Sequence, residues 1–305
     1  MAKFRDTVVG DISHESIPPA PPRSVVPGER TIGDIIAETR NLSAEQVENI
    51  LQRQRETDLR FGEAAVALGY VSSDDVLFAL AQQFHYPYAP EERRNVNPEL
   101  VTLNQPFSHQ AEAFRAIRSQ VMMRVFSDDN SGRKALAVVS PDPGDGKTYF
   151  AANLAVTLAQ LGGRTLLVDA DLRGPRQHEV FKVPNVAGLS GILSGRAESN
   201  VVAQVAAVPN LFVLPVGVTP PNPLELVERP AFGYLLRELV SKFDHVVVDT
   251  PAAIYGSDSL VVATRCGFAL AVARKNSSRF DALQDLVGML GDSGCKMAGV
   301  VFNEF

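Results

Sequence analysis

The chain has 305 residues, 45% of them apolar, which is enough for two domains with buried cores. Its formal net charge of −6 argues against a broad nucleic-acid-binding surface, and we expect no nucleic-acid partner. No run approaches the roughly 18 consecutive apolar residues of a membrane-spanning helix, and the first residues lack the apolar core of a signal peptide. The two cysteines, Cys266 and Cys295, suit a reducing cytosol, where we expect each to be a buried apolar residue.

The N-terminal third of the chain changes composition twice. Residues 1–29 are rich in proline and polar side chains, which predicts a flexible tail. Apolar residues spaced three and four apart then predict a small helical domain over residues 30–88. Four prolines in YPYAPEERRNVNPELVTLNQP interrupt that spacing and predict a linker at residues 89–106. Residues 107–305 form the predicted second domain.

A helix opens this second domain and short strands follow it. The segment HQAEAFRAIRSQVMMRVF predicts a helix that buries Ala113, Ile117 and Met122. Six short apolar runs, rich in β-branched residues, then alternate with helix-length stretches, as expected for strands that are covered on both faces. We therefore expect an α/β fold with a mostly parallel sheet flanked by helices. The six runs are residues 134–140, 164–171, 211–217, 245–250, 268–274 and 297–303.

The segment SPDPGDGKTYF, residues 140–150, is similar to a phosphate-binding loop of the form G-x-x-x-x-G-K-[ST], but Pro141 stands at the first glycine. It lies between a predicted strand and a predicted helix that ends at Gly162–Gly163. Backbone N–H groups and the helix dipole converge at such a junction and make it an anion site. Lys147 is expected to contact the β- and γ-phosphates, and Thr148 is expected to offer its hydroxyl to Mg²⁺.

Acidic residues follow two of the predicted strands. RTLLVDADLRGPRQH ends a strand at Asp169 and adds Asp171 and Arg173, and FDHVVVDTPA ends another strand at Asp249. Carboxylates at the carboxyl ends of parallel strands face the crevice in which such sheets bind ligands. Together with the lysine loop, they predict magnesium-assisted phosphoryl transfer.

These strings resemble the bacterial tyrosine kinases of exopolysaccharide export, the BY-kinases, and most closely the EpsG type of chain-length-determinant kinase. The resemblance covers about residues 107–305 and includes SPDPGDGKT, LLVDADLRGPRQHEVF, VVVDTPA, GLSGILSG, LPVGVTPPNPLELV and GVVFN. In this family the loop reads S-x-x-P-G-E-G-K-[ST], so Pro141 is no defect and Asp145 replaces a glutamate. The resemblance implies a P-loop NTPase fold of the SIMIBI, MinD-like class, and an ATP-dependent tyrosine kinase in exopolysaccharide chain-length determination and export.

The resemblance also implies a role for individual residues. The implied catalytic set is Lys147, Asp169, Asp171 and Asp249, with Asp171 as the candidate base toward an acceptor hydroxyl. The implied Mg²⁺ site is Thr148, Asp169 and Asp249. The implied ATP contacts are Gly144, Asp145, Gly146, Lys147, Thr148, Tyr149, Arg173 and Asn303, of which Asn303 meets adenine.

Two alternatives to a kinase stay open. The first is a MinD/ParA-like switch ATPase without protein kinase activity. Related ATPases of that branch carry a further lysine at the start of the loop, where this chain has Asp142, and this residue favours the kinase branch. The second is an interaction protein that nucleotide merely stabilises. The retained Lys147, Thr148 and three aspartates weigh against it.

Features outside the nucleotide site point to partners. EAFRAIRSQ matches the family's E-x-x-R-x-x-R oligomerisation motif through Glu112, Arg115 and Arg118, which share one helix face, although a solvated charged stripe has the same spacing. The resemblance implies a homo-oligomer and a separate membrane polysaccharide co-polymerase that holds this cytoplasmic chain at the inner membrane. No tyrosine cluster precedes the closing VVFNEF, so the phosphoacceptor stays open, as do the polysaccharide and the oligomer size.

The predicted helical domain contains an internal repeat. Residues 31–54 and 60–83 fit one template, with an early glycine, regularly placed apolar residues and a final glutamine. This tandem resembles the MshEN-type domain of type II secretion ATPases, many members of which bind cyclic di-GMP.

The two copies match the MshEN motif unequally. The second copy is complete in Arg60, Gly62, Gly69 and Gln83. The first copy keeps Gly33 and Gln54 but has Thr31 for the arginine and Arg40 for the glycine. Loss of one charge-assisted contact lowers affinity about tenfold or more, so a helical docking module without a dinucleotide stays an open alternative.

Overall fold

The structure, a computed structural model, describes residues 31–57, 59–83, 96–127, 134–196 and 201–304. The predicted tail at residues 1–29 lies outside the described residues. The chain divides between Ala79 and Leu80 into two compact units, and this boundary falls inside the predicted helical domain. Within the described ranges, no helix combines the length and the apolar character needed to cross a membrane.

The described part of the first unit is helical, as predicted. Its helices are α1 (Ile32–Thr39), α2 (Ala44–Glu56), α3 (Phe61–Ala67) and α4 (Ser73–Gln83), the last of which crosses the unit boundary. Each copy of the predicted repeat is a pair of helices whose starts are capped. Thr31 and Ser43 cap the helices of the first copy, and Arg60 and Ser72 occupy the same places in the second. Ile36, Ile50 and Ala64 lie in the shared core.

Two glycines of the complete repeat have reasons that lie in the fold. A Cβ at Gly62 would lie 2.6 Å from a methyl group of Val76, so α3 approaches α4 closely only with glycine there. Gly69 has a φ of 73°, which favours glycine after a helix end. In the first copy, Arg40 replaces this glycine and its guanidinium donates to Asp75 at 2.6 Å, which joins the two copies.

The second unit contains a sheet flanked by helices. Its first elements are α5 (Val101–Asn104), α6 (His109–Val121), a π-helical turn (Met122–Phe126), β1 (Ala135–Val139), α7 (Lys147–Ala159), β2 (Thr165–Asp169), α8 (Gln177–Phe181) and α9 (Leu189–Leu193). The elements that follow are β3 (Ala203–Gln204), β4 (Leu211–Leu214), α10 (Pro223–Glu228), α11 (Pro230–Lys242), β5 (His245–Asp249), a 3₁₀ turn (Ala253–Tyr255), α12 (Asp258–Cys266), β6 (Gly267–Arg274), α13 (Phe280–Asp292) and β7 (Lys296–Asn303).

The sheet has seven strands in the order β3-β4-β2-β5-β1-β6-β7, and every pair except β3–β4 is parallel. The predicted α/β class and all six predicted strands are confirmed. The two-residue strand β3 is too short to have been visible as an apolar run. Because β2, β5 and β1 are adjacent, the carboxyl ends of three strands meet beside the start of α7.

Coverage of the strands differs from the prediction at one edge. β1, β2 and β5 consist entirely of buried residues. The prediction of strands covered on both faces is wrong for β7, where Val300 is 42% and Phe302 is 60% exposed. This strand ends the sheet order and pairs with β6 alone, so its outer side has no neighbouring strand in the described chain.

Two helix predictions need correction. Ala113 is exposed, because α6 packs through Ala111, Phe114 and Val121, although Ile117 and Met122 do pack against the core. The helix after the loop ends at Ala159 rather than at the glycine pair, and Gly162, with a φ of 95°, forms the following turn.

Part of the predicted linker has a defined structure. The helix α5 lies within residues 89–106, and residues 89–95 are outside the described ranges. Thr102 is buried, and both its backbone N–H and its hydroxyl donate to Asn153 of α7. The two cysteines are buried, as expected, and burial raises the pKa of Cys295 to about 11.

Candidate functional site

The phosphate-binding loop connects β1 to α7 and has the geometry of an anion site. Gly146, with a φ of 91°, is the N-cap of α7, and Gly144 has a φ of 84°. Both conformations favour glycine, and they direct the loop backbone into the helix N-terminus. The described backbone has no positive φ at Pro141, so this position does not require glycine.

The buried side chain of Asp145 stabilises the loop through hydrogen bonds. Its side chain is 2% exposed and accepts from the Ser278 hydroxyl at 2.6 Å and from the Asp142 backbone N–H at 3.0 Å. Its carbonyl oxygen accepts from the side-chain amide of Asn303 at 3.3 Å. The predicted ATP contact of Asp145 can therefore come only from its backbone while these bonds hold, and its carboxylate fixes the loop conformation.

Lys147 and Asp171 face each other across one cavity. Lys147 Nζ lies 3.9 Å from Asp171 Oδ2, and both side chains are largely buried. The cavity has a volume of about 890 Å³, within the range of about 300–1,000 Å³ that is usual for ligand pockets. Of the predicted ATP-binding residues, the lining includes Gly144, Gly146, Lys147, Thr148, Tyr149, Arg173 and Asn303.

Asp169, at the end of β2, organises the segment that follows it. Its two carboxylate oxygens accept from the backbone N–H groups of Asp171, Arg176 and Gln177 at 3.2, 3.1 and 3.0 Å. The side chain is completely buried, and burial together with nearby Asp249 raises its pKa well above the ordinary value. Its contacts are those of a loop-shaping residue at the edge of the predicted metal site.

Asp249, at the end of β5, lies beside Asp169 in the sheet register. Its Oδ2 accepts from the side-chain amide of Gln177 at 2.9 Å, and the same amide donates to the Thr148 carbonyl at 3.1 Å. Burial raises the pKa of Asp249 to about 6, although Lys147 and Gln177 act in the opposite direction. Gln177 was not among the predicted site residues, yet it connects the acidic strand end to the loop.

The donor set fits Mg²⁺ held jointly with a nucleotide. The described residues contain no group of three or more His, Cys, Asp or Glu side chains arranged to hold a metal. Asp249 Oδ1 is buried and has no hydrogen-bond partner, and the Thr148 hydroxyl lowers the pKa of this carboxyl group. Mg²⁺ commonly uses one or two carboxylates, with phosphate oxygens and water as its other ligands. A cation between Asp249 and Thr148 would give the orphan oxygen a partner.

Arg173 is positioned by a residue that the sequence patterns did not single out. Its guanidinium donates to Asp258 Oδ2 at 3.0 Å, and the Asp258 side chain is only 3% exposed. A buried carboxylate that binds an arginine restricts where the guanidinium can reach. Asp258 lies nine residues after Asp249 in the same connection, and this proximity in sequence was the available signal.

Tyr149, a predicted ATP contact, lines the cavity. The ring of half-buried Tyr149 packs edge-on against Phe114, and burial, with a smaller effect of Glu99, raises the pKa of its hydroxyl.

In the predicted oligomerisation motif, Arg115 donates to Glu112 at 2.8 Å and Arg118 donates to the Thr157 carbonyl at 3.1 Å. These bonds are within the chain, and the oligomerisation role stays a prediction.

Comparison with known proteins identifies the family of the second unit. Residues 136–305 match the family model described as the CobQ/CobB/MinD/ParA nucleotide binding domain. The chain is 34% identical over 217 residues to the putative tyrosine-protein kinase CapB of Staphylococcus aureus, over 70% of this chain and 92% of that protein.

Solved structures with a similar fold include two that are related in sequence. The chimerical protein CapA2B2 is 34% identical with a TM-score of 0.63, over 68% of this chain and 90% of that one. The kinase domain of the Escherichia coli tyrosine kinase ETK is 28% identical with a TM-score of 0.64, over 72% of this chain and 88% of that one.

Proposed function

The chain belongs to the CobQ/CobB/MinD/ParA nucleotide-binding family and, within it, to the bacterial tyrosine kinases, and we propose that it phosphorylates tyrosine with Mg-ATP. The observation that carries the proposal is the cavity in which Lys147 faces Asp171 beside the orphan oxygen of Asp249. A protein that used nucleotide only for stability would not need a buried lysine and two buried carboxylates at one end of the sheet. The pathway we propose is exopolysaccharide chain-length determination and export.

Each residue of the site has a task in this reaction. Lys147 and the N-terminus of α7 bind the phosphates, and Arg173, held by Asp258, adds positive charge at the same cavity. Asp249 and Thr148 would hold Mg²⁺, with Asp169 ordering the adjoining segment. Mg²⁺, when bound, neutralises charge on the transferring phosphate. Asp171 takes the proton of the acceptor hydroxyl.

A labelling experiment tests this function. The full chain would be incubated with Mg²⁺, radiolabelled ATP and a glutamate–tyrosine copolymer, beside a Lys147→Ala variant. Label on tyrosine that disappears in the variant is the expected result. Release of free phosphate without labelled tyrosine would instead identify a switch ATPase, and loss of neither product in the variant would refute the site assignment.

The proposed partner is a membrane polysaccharide co-polymerase that recruits the chain to the inner face of the cytoplasmic membrane. The basis of this proposal is the family resemblance. Vesicles carrying the co-polymerase's cytoplasmic segment should retain this chain in a flotation assay, and bare vesicles should not. Retention that is equal on both would refute recruitment by the partner.

A regulatory role of the N-terminal helices through cyclic di-GMP is a further part of the proposal. Arg60 and Gln54 are exposed and available to a ligand. Against it, Gly62 and Gly69 are already explained by packing and backbone conformation. Calorimetric titration of the full chain, with Arg60→Ala as the control, decides the matter. Heat of binding that the variant loses supports the role, and no heat at high micromolar ligand rejects it.

A further inference from the structure

Two tyrosines of the described chain line the nucleotide cavity, and they differ in their freedom. The ring of Tyr149 packs against Phe114, with centroids 5.9 Å apart. Tyr255 lines the same cavity while 53% of its surface remains exposed. Tyr234 is 65% exposed but does not line the cavity, and the Arg237 guanidinium covers its ring at 4.7 Å. Tyr255 therefore combines access to the cavity with an uncrowded side chain.

The backbone around Tyr255 is attached to the phosphate-binding loop. The N–H groups of Ala253 and Ile254 donate to the carbonyl oxygens of Ser140 and Pro141, at 2.9 and 3.1 Å. The short 3₁₀ turn that ends at Tyr255 is thereby held against the start of the loop. The position of this tyrosine is set relative to the place where the phosphates bind.

A guanidinium lies next to the same turn. A Cβ on Gly256 would lie 3.1 Å from Asp258 Oδ2 and 3.5 Å from Arg173 Nη2, so the backbone after Tyr255 rests against this ion pair. Gly256 has a φ of 145°, which L side chains rarely adopt, and this also favours glycine there. Arginine is well suited to bind a phosphate group through two hydrogen bonds.

We propose that Tyr255 is a phosphoacceptor of the nucleotide site in its own chain. Tyr255 Oη attacks the γ-phosphorus of ATP, the bond between that phosphorus and the β,γ-bridging oxygen breaks, and ADP leaves with the electron pair. The phenolic proton passes to the Asp171 carboxylate, which lines the same cavity. This inference rests on the proposed kinase function. Because the backbone after Tyr255 rests against Arg173, a phosphate on Tyr255 would bring negative charge towards the site of the γ-phosphate and limit further turnover.

The test uses the full chain with Mg²⁺, radiolabelled ATP and the glutamate–tyrosine copolymer, followed by mass-spectrometric mapping of phosphopeptides. The expected result is phosphate on Tyr255, loss of most self-labelling in Tyr255→Phe, and continued labelling of the copolymer by that variant. Tyr234→Phe is the matched control, an exposed tyrosine outside the cavity, and keeps its self-labelling. The rate of self-labelling per molecule should not depend on protein concentration.

Every other outcome overturns the inference in a recognisable way. A labelled copolymer with unmodified Tyr255 refutes Tyr255 as a phosphoacceptor and still supports the kinase function. Absence of label from both, in a chain that binds nucleotide, removes the inference and the kinase function together. Label on Tyr255 of a Lys147→Ala chain mixed with the active protein shows transfer between molecules and refutes transfer within the chain.

Discussion

Replacing Asp249 with asparagine should stabilise the nucleotide-free chain while weakening Mg²⁺ binding. The folded protein buries this carboxyl group completely, and its pKa is about 6 against an ordinary value of 3.8. A difference of about 2 pKa units between the folded and unfolded states corresponds to roughly 3 kcal/mol of unfolding free energy. The pKa is raised by folding, so the folded state binds the proton more tightly than the unfolded state. The contribution of the Asp249 carboxyl group to the unfolding free energy is therefore fully favourable below the unfolded pKa. It is lost as the pH rises through about 6, where the buried group becomes charged.

The expected gain in Asp249→Asn is up to about 3 kcal/mol of unfolding free energy at pH 8, with a gain that shrinks as pH falls below 6. Urea unfolding without nucleotide or metal, followed at several pH values, measures it. Asp285→Asn, a change on an exposed position of α13, is the control and should stay within about 0.5 kcal/mol. Adding Mg-ADP should stabilise the native chain more than the asparagine variant. A variant that is no more stable than the native chain at pH 8, or a gain that does not change with pH, would refute the reasoning.

Three further substitutions test the packing and the site. Gly188→Ala should destabilise the chain by about 3 kcal/mol in thermal or urea unfolding, because its Cβ would lie 2.1 Å from the Pro215 carbonyl oxygen. A Cβ on Gly191 would meet no neighbouring atom within 4 Å, so Gly191→Ala should change stability little. Similar stability losses in the two variants would contradict the contact at Gly188. Asn153→Ala should lower the unfolding free energy by about 3 kcal/mol, since it removes the hydrogen-bonding partner of Glu99, Thr102 and Tyr149; an unchanged unfolding midpoint would contradict this. Lys147→Ala should lower ATP affinity at least about tenfold in a fluorescence titration without changing the unfolding midpoint by a comparable amount; native affinity would argue against its phosphate contact.

The fold was predictable to the extent that it depends on local pattern. Continuous apolar runs such as those that became β1 and β2 indicate strands covered on both faces, and the helix-length stretches between them indicate parallel connections. The same logic failed for β7, because its apolar run looks like the others while its place at the edge of the sheet depends on strand order. It failed for Ala113 because helical spacing allows more than one buried face, and packing against α7 selects among them.

The candidate site was predictable where a residue's role depends on its neighbours along the chain. The loop glycines and Lys147 lie at a strand–helix junction, and Asp169 and Asp249 lie at strand ends, so their spacing alone pointed to phosphate and metal. The contacts of Asp145 could not be predicted in this way. A carboxylate beside a phosphate loop suggests a ligand, yet this one binds Ser278, which is 133 residues away in the chain.

The amino-acid sequence by itself determined that the chain is an α/β nucleotide-binding protein, because periodicity, loop glycines and strand-end acids are properties of consecutive residues. Only the tertiary structure decided which distant groups meet. The order β2-β5-β1 brings Gln177 to Asp249, and the turn after β5 brings Tyr255 to the phosphate-binding loop. Such contacts arise from the arrangement of whole strands in the sheet, and no local pattern encodes the distance between two residues that are far apart in the chain.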